Sequence, residues 1–338
     1  MRRFLRQLLV MCLLVAGLAG LGWQDADRLM SQPLQLKQDE RFEIETGKSL
    51  SGILSMLQAR GFLAEERLPR YLQVYARVTG MASALKAGEY ELTPGMNSFD
   101  LLALLVSGKT VLHELRLIEG WTFEEARSAI DSSDALVHAL TGVDAGRVMI
   151  MLGRQGLNPE GRLFPDTYRF PKGTSDLAFL RRAMSAMDHV LDQEWAQREA
   201  DLPYHSVDEA LVMASIIEKE TGVPAERDQI AGVFIRRLRS GMKLQTDPTV
   251  IYGMGAQFDG NLRRIDLETD TPYNSYTRYG LPPTPICLPG RASLHAALHP
   301  SVGSSLFFVA RGDGTHQFSD TLDQHNSAVQ QFQLRKRK

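Results

Sequence analysis

The chain has 338 residues, 43% of them hydrophobic and 23% charged, with a formal net charge of -2. That composition excludes a disordered chain and leaves room for two or more domains with cores of their own. A nearly neutral balance gives no electrostatic footprint for nucleic acid, and the basic stretch Arg335 to Lys338 reads as a short solvated tail.

The chain opens on "MRRFLRQ", followed by the uncharged run "LLVMCLLVAGLAGLGW" from Leu8 to Trp23. With Phe4 and Leu5 the apolar stretch reaches about 20 residues, enough at about 1.5 Å per residue to span a bilayer. Arg2, Arg3 and Arg6 precede it and "QDAD" comes after it, so the positive-inside rule leaves the start cytoplasmic and exports the chain beyond Trp23. A cleaved signal peptide is the rival reading, since Gly17-Leu18-Ala19 offers a small-x-small site; the length of the apolar run favours a retained anchor. Cys12 falls in this run and Cys287 far away, so no intramolecular disulfide is expected and Cys287 is expected to be buried.

Three stretches then repeat one device: "FEIETGKSLSGIL" from Phe42, "YELTPGMNSFDLL" from Tyr90 and "LRLIEGWTFEEAR" from Leu115. Each alternates like a strand, turns at Gly47, Gly95 or Gly120, and enters a helix that Ser49, Ser98 or Thr122 can cap, the last in a capping box with Glu125. Between the first two lies a further helix whose Leu68, Leu72 and Tyr75 share a face. The loop "NPEGRLFPDTYRFPKGT", Asn158 to Thr174, separates this part from three helices: "LAFLRRAMSAMDHVLDQEWAQRE", "SVDEALVMASIIEKE" with a Ser206/Glu209 capping box, and "AERDQIAGVFIRRLRSG", which stops at Gly241. The remainder is irregular, with "DPTV", "LPPTPICLPG" and "HPSVG" before a candidate strand "SLFFVA"; extended, Pro-rich walls suit a cleft for a linear polymer.

The helix from Ser206 ends unusually. Leu211, Ala214, Ser215 and Glu218 share one face, while Val212, Met213, Ile216 and Ile217 cover most of the rest, so a largely buried helix carries Glu218 in its last turn. Burial and the negative helix end both disfavour the ionised form, which prepares a proton donor of the kind glycoside cleavage needs. The alternative is a salt bridge to Arg236 or Arg237, or a side chain reaching solvent. Glu220 lies about 200° further round and is the less favoured acid.

"ASIIEKET", "LQTDPTVIYG", "YNSYTRYGLPPTPI", "HQFSDTLDQHN" and the earlier "EGRLFPDTY" together resemble the endolytic murein transglycosylase family, also called YceG-like, over most of the chain. The resemblance implies a bacterial inner-membrane lyase that cuts nascent peptidoglycan strands internally between N-acetylmuramic acid and N-acetylglucosamine, leaving 1,6-anhydro ends. It places the acid/base of the "IIEKE" motif on Glu218. One carboxyl suffices there, because the muramic C6 hydroxyl attacks its own C1. It also implies substrate contacts from Asp247, Tyr273, Asn274, Tyr276, His316, Ser319, Thr321, Asn326 and Glu160, with Asp166 beside the "LFPDTY" loop. Asp247 reads equally as a turn former before Pro248, and Tyr273, Asn274 and Tyr276 as a packed tyrosine-rich loop. The chain departs from the family pattern at "TPICLPG" and at Gln324.

The expected fold is α+β: a transmembrane helix within residues 1–23, a small LysM-like subdomain at 38–112 that contacts glycan or acts as a spacer, and a mixed catalytic domain with a glycan cleft at 113–335. No cofactor is expected. His295 and His299 stand at i, i+4, but no third ligand stands at zinc spacing, so no metal is expected. Expected partners are glycan strands, the membrane, and penicillin-binding proteins or other peptidoglycan synthases. Two other functions fit the same chain: an anchored non-catalytic glycan scaffold, which would make Glu218 dispensable, and a muramidase that hydrolyses with a second carboxylate such as Asp247 or Glu160.

Overall fold

The structure, a computed structural model, describes residues 2–334; the basic tail read from Arg335 onward lies outside them. The fold is mixed α+β, and among the described residues the strands form four two-stranded sheets. The chain divides into two compact units, one of residues 1–113 with 169–173 and one of 114–168 with 174–338.

The first unit begins with α1 (Arg2–Met30), the one helix among the described residues that is long and apolar enough to cross a membrane. Its composition fits a single-pass anchor or a signal sequence. Cys12 on it is exposed. Then come β1 (Glu40–Ile44), α2 (Leu50–Ala59), α3 (Leu68–Val78), β2 (Gly88–Leu92) and α4 (Ser98–Ser107). β1 and β2 pair antiparallel with Phe42 opposite Tyr90, and the alternation that marked them as strands turns Phe42, Ile44, Tyr90 and Leu92 into the core. Ile53, Leu54 and Leu57 of α2, Leu72 of α3 and Leu101, Leu102 and Leu105 of α4 close that core, and Leu29 and Met30 at the end of α1 join it.

All three turn glycines have positive φ, 85° at Gly47, 94° at Gly95 and 80° at Gly120, the backbone that glycine adopts without strain. Ser49 and Thr122 cap as expected, Thr122 in a reciprocal box with Glu125. The second copy differs: Asn97 is the cap, boxed with Asp100, and Ser98 is buried as the first helical residue. An Asx side chain one position earlier outcompetes the hydroxyl.

Strand β3 (Leu112–Arg116) leads to α5 (Phe123–Asp131), β4 (Leu136–Val137), α6 (Ala145–Met151), β5 (Thr167–Pro171), β6 (Thr174–Ser175), α7 (Asp176–Ala196), α8 (Val207–Glu220) and α9 (Arg227–Arg239). After these come α10 (Asp247–Met254), α11 (Arg264–Glu268), α12 (Arg291–Leu298), β7 (Phe307–Ala310), β8 (His316–Ser319) and α13 (Leu322–Val329). The loop expected over Asn158 to Thr174 thus contains β5, which pairs with β3, while β4 runs parallel to β6 and β7 antiparallel to β8.

Helix α8 is the axis of the second unit's core: every residue from Ala210 to Ile217 is buried, against Ile230 and Phe234 of α9 and Leu294, Ala297 and Leu298 of α12. Ser206 caps it by accepting from the Glu209 amide, but the Glu209 carboxylate reaches one residue further back, to His205 N. The Pro-rich segment ending in Pro289 is not a cleft wall over its second half. Ile286, Cys287 and Leu288 are at most 1% exposed, and Ile286 N donates to Ser215 Oγ at 3.0 Å. Cys287 is accordingly buried, its thiol pushed up by burial and by the nearby Glu218 carboxyl.

Candidate active site

The last turn of α8 carries two carboxylates that point to different surroundings. Glu218 Oε2 accepts from Gly290 N at 2.9 Å and from Ser293 Oγ at 2.7 Å, both in the first turn of α12, and Arg227 Nη2 lies 3.9 Å from Oε1. The side chain is 7% exposed. Backbone and hydroxyl donors at a helix N-terminus are a setting that suits a fixed acceptor, and here they fasten α8 to α12. Glu119 packs alongside, so close to Gly290 that a Cβ there would lie 2.0 Å from Glu119 Oε1. Burial, and then the neighbouring Glu218, push the Glu119 carboxyl up. The expected arginine partners go elsewhere: Arg236 donates to Ser301 O and Ser305 O, and Arg237 to Leu306 O and Leu244 O.

Glu220, the last residue of α8, lines an open cleft of about 490 Å³. Asp247, Tyr276, His316, Arg237 and Phe308 line it too. Burial pushes the Glu220 carboxyl up to about 7, the Asp247 charge adds to that push, and the hydrogen bond from Thr246 Oγ1 works against it. Glu220 thus combines a raised carboxyl with a place on the cleft; the helix turns about 200° between the two glutamates, and of the two Glu220 lines this cleft.

The turn before α10 places Thr246 and Asp247. Gln245 sits at φ 51°, a left-handed backbone that a non-glycine residue holds only at a cost. Ser275 holds the turn there: its carbonyl accepts from Gln245 N at 3.1 Å and its hydroxyl from Thr246 N at 3.0 Å. Asp247 Oδ1 accepts from Tyr276 Oη at 2.6 Å. Burial, followed by this bond to Asp247, pushes the Tyr276 phenol up, so it stays a donor. Across the cleft His316 is gripped twice by Glu226, its backbone N–H at 2.9 Å and its ring Nδ1 at 2.8 Å, with Phe308 edge-on at 5.4 Å between centroids.

Of the nine residues expected to contact substrate, Asp247, Tyr276 and His316 line this cleft and the others do not. Asn274 is fully buried; its amide donates to three carbonyls, of Asp266, Leu267 and Thr269, and its oxygen accepts from Tyr276 N. Tyr273 Oη pairs with Thr284 Oγ1, and its ring lies across Tyr252 at 4.9 Å. Glu160 is 5% exposed and accepts from Phe123 N and Tyr252 Oη; burial pushes it up to about 7. Ser319 is buried at the end of β8, Thr321 caps α13 in a box with Gln324, and Asn326 is exposed on α13. Asp166 accepts from Thr167 N in its own loop. Glu220, Thr246, Gln245, Glu226 and Arg237 were not picked out as site residues by sequence reasoning. "LQTDPT" offered Thr246 beside Asp247, whereas nothing in the sequence marks the fit of Glu226 to His316.

The His295/His299 pair is also resolved in its surroundings. The rings stack with centroids 4.2 Å apart, and Glu194 of α7 arrives beside them as a third group with ligand atoms in range. Its oxygens are engaged by Arg291 Nε at 2.7 Å and His295 Nδ1 at 2.9 Å.

A core helix ends in a carboxyl that burial raises and faces an Asp–Tyr pair and a carboxylate-held histidine across an open groove, so the fold is a mixed α+β protein with a one-sided cleft lined by titratable groups. The chain belongs to the YceG-like family, whose model matches residues 42–331. It is 33% identical over 306 residues to an endolytic murein transglycosylase of Bacillus subtilis, covering 86% of this chain and 83% of that one. It is 27% identical to the protein of that name from Streptococcus pneumoniae D39, over 85% of this chain but 57% of the longer relative. The crystal structure of a putative YceG-like protein from Listeria monocytogenes, 32% identical, aligns with a TM-score of 0.55 over 86% of this chain and 99% of that one.

Proposed function

We propose that the protein is an endolytic peptidoglycan lytic transglycosylase and that Glu220 is its general acid and base. The names of the relatives support the activity, and the raised Glu220 carboxyl opening on the cleft carries the assignment. With a folded pKa of about 7 the group is protonated below neutral pH and about half protonated at it, and it gives its proton to the glycosidic oxygen as the muramic C1–O bond breaks. The resulting carboxylate then accepts the proton of the C6 hydroxyl as that oxygen bonds to C1. One group returns to its starting state and the product ends in a 1,6-anhydro ring, with no water consumed. Asp247, Tyr276 and His316 supply an acceptor and donors for sugar hydroxyls and N-acetyl groups beside Glu220.

Helix α1 is read as a retained inner-membrane anchor with its basic start in the cytoplasm and the chain beyond it in the periplasm. Residues 38–112 are read as the LysM-like subdomain, supported by the paired β1 and β2 packed with α2 and α3. Enzymes that polymerise glycan, penicillin-binding proteins among them, are the expected neighbours of an enzyme that cuts new strands at the membrane.

A hydrolytic reading has one observation in its favour, since Asp247 is a second carboxylate on the same cleft. Digestion of uncrosslinked glycan strands with the full-length protein in detergent, and mass spectrometry of the products, separates the readings. Internal fragments with 1,6-anhydromuramic ends, absent with Glu220→Gln, are expected. Reducing ends would make it a hydrolase, and strand binding without products would make it a scaffold.

A further inference from the structure

Helices α1 and α3 meet at a groove that the catalytic reading does not use. Ala19, Gly22, Trp23, Ala26 and Met30 succeed one another along one side of α1, and Tyr71, Val74, Tyr75 and Val78 along one side of α3. Together with Phe99 they line an apolar hollow of about 490 Å³, with Asp27 and Thr79 at its rim. The hollow is continuous with an exposed surface: Trp23 is 63% exposed, Val74 59% and Val78 79%. Two valines a turn apart beside an open tryptophan form a contiguous apolar patch of the kind that marks an interaction surface.

The rest of α3 explains the orientation of that patch. Leu68, Leu72 and Ala76 turn into the unit's core, so Val74 and Val78 face outward, and Arg70 and Arg77 stand exposed on the adjoining stripe. Asp25 holds the helix in place, accepting from Arg67 Nη1 and Tyr71 Oη, each at 2.9 Å. That clamp lies two residues past Trp23, where the apolar run of α1 ends, about 3 Å along the helix axis. The valine face is therefore fixed at the level where a membrane span would leave the hydrocarbon. Apolar side chains flanked by arginines and a tryptophan are the composition of a helix lying in a bilayer interface.

We propose that α3 is an interfacial helix, and that the acyl chains of the phospholipid bilayer crossed by α1 fill the α1–α3 groove and cover Val74 and Val78, with Arg70 and Arg77 against lipid phosphates. The proposal rests on α1 being a retained anchor. Continuity of the groove with the apolar run of α1 is what selects lipid over a protein occupant. Its consequence is that the first unit is held to the membrane surface by two elements, and does not swing on one.

The test uses the full-length protein with Cys12→Ala, reconstituted in phosphatidylethanolamine and phosphatidylglycerol vesicles; Cys287 is fully buried and does not compete for label. A bimane dye is placed at Val78→Cys in one preparation and at Leu14→Cys in another. The Leu14 dye is expected to be quenched by deep doxyl lipids, and the Val78 dye by shallow doxyl lipids with several-fold protection from aqueous iodide. Adding Val74→Asp is expected to restore most of the iodide access at Val78. A deep Leu14 dye with a Val78 dye open to iodide overturns the proposal and leaves the anchor standing. A Leu14 dye outside the bilayer overturns the anchor and the proposal with it. Protection from iodide without quenching by lipid would show a protein on this face, a second copy or a partner, and would also overturn it.

Discussion

Glu218 and Glu220 are separated by one lysine and about 200° of helix, and the two sides of α8 treat a carboxylate in different ways. On the α12 side an amide and a hydroxyl converge on a single oxygen of Glu218, with a guanidinium nearby. On the cleft side Glu220 has one hydroxyl donor, a second carboxylate close by and open space in front. Two donors on one oxygen make Glu218 a fastening between helices, whereas Glu220, desolvated beside a second carboxylate and open to the cleft, is held toward its protonated form. Glu160 is also pushed up to about 7 although an amide and a hydroxyl donate to it, but it does not line the cleft, so it is access together with desolvation that sets Glu220 apart.

The largest effect expected to sharpen this contrast is at Glu220. Glu220→Gln is expected to lower the rate of strand cleavage by about 10²–10⁴-fold, the range for loss of general acid/base help, with the far-ultraviolet circular dichroism unchanged. Next comes pH. A carboxyl whose folded pKa is about 7 is protonated below that value, so kcat/KM for the proton-donating step is expected to fall as pH rises through about 7, and this limb should vanish from the residual activity of Glu220→Gln. A flat profile from pH 5 to 9 in the wild type would break the link between the raised carboxyl and the chemistry.

The fastening side predicts a change in stability instead. Glu218→Ala removes the acceptor for Gly290 N and Ser293 Oγ and is expected to cost about 1–3 kcal/mol in urea unfolding. Ser293→Ala removes one of those two donors and is expected to cost about 1 kcal/mol, with cleavage nearly unchanged. The smallest effect belongs to Tyr276→Phe, which deletes the donor to Asp247 and is expected to reduce cleavage by several-fold through substrate positioning, read as a rise in KM larger than the fall in kcat. A fall in kcat with KM unchanged would place Tyr276 in the proton-transfer step.

Much of this fold was legible because its signals are local. The three strand–glycine–helix turns, the caps at Ser49 and Thr122, the α8 core run and the burial of Cys287 stem from spacing and residue type alone. Ser98 misled because an asparagine one residue earlier is the better cap. The site was legible only in part. Helical spacing reports which residues share a face, and it placed Glu218 with Leu211, Ala214 and Ser215; it cannot report that this face meets α12 while the other opens on a cleft built by the Gln245 turn and by β7 and β8. Asn274 illustrates the same limit, an amide suited to sugar that the fold spends on three backbone carbonyls.

The most direct test sets the two carboxylates against each other on one substrate. Full-length Glu218→Gln and Glu220→Gln, each confirmed as folded, would be given uncrosslinked glycan strands, and the release of 1,6-anhydromuramic ends tracked in time. Cleavage by Glu218→Gln within about tenfold of wild type, with a loss of about 10²-fold or more in Glu220→Gln, is the predicted result. Normal turnover by Glu220→Gln, with Glu218→Gln folded and inactive, would contradict it and return the acid to the α12 side of the helix.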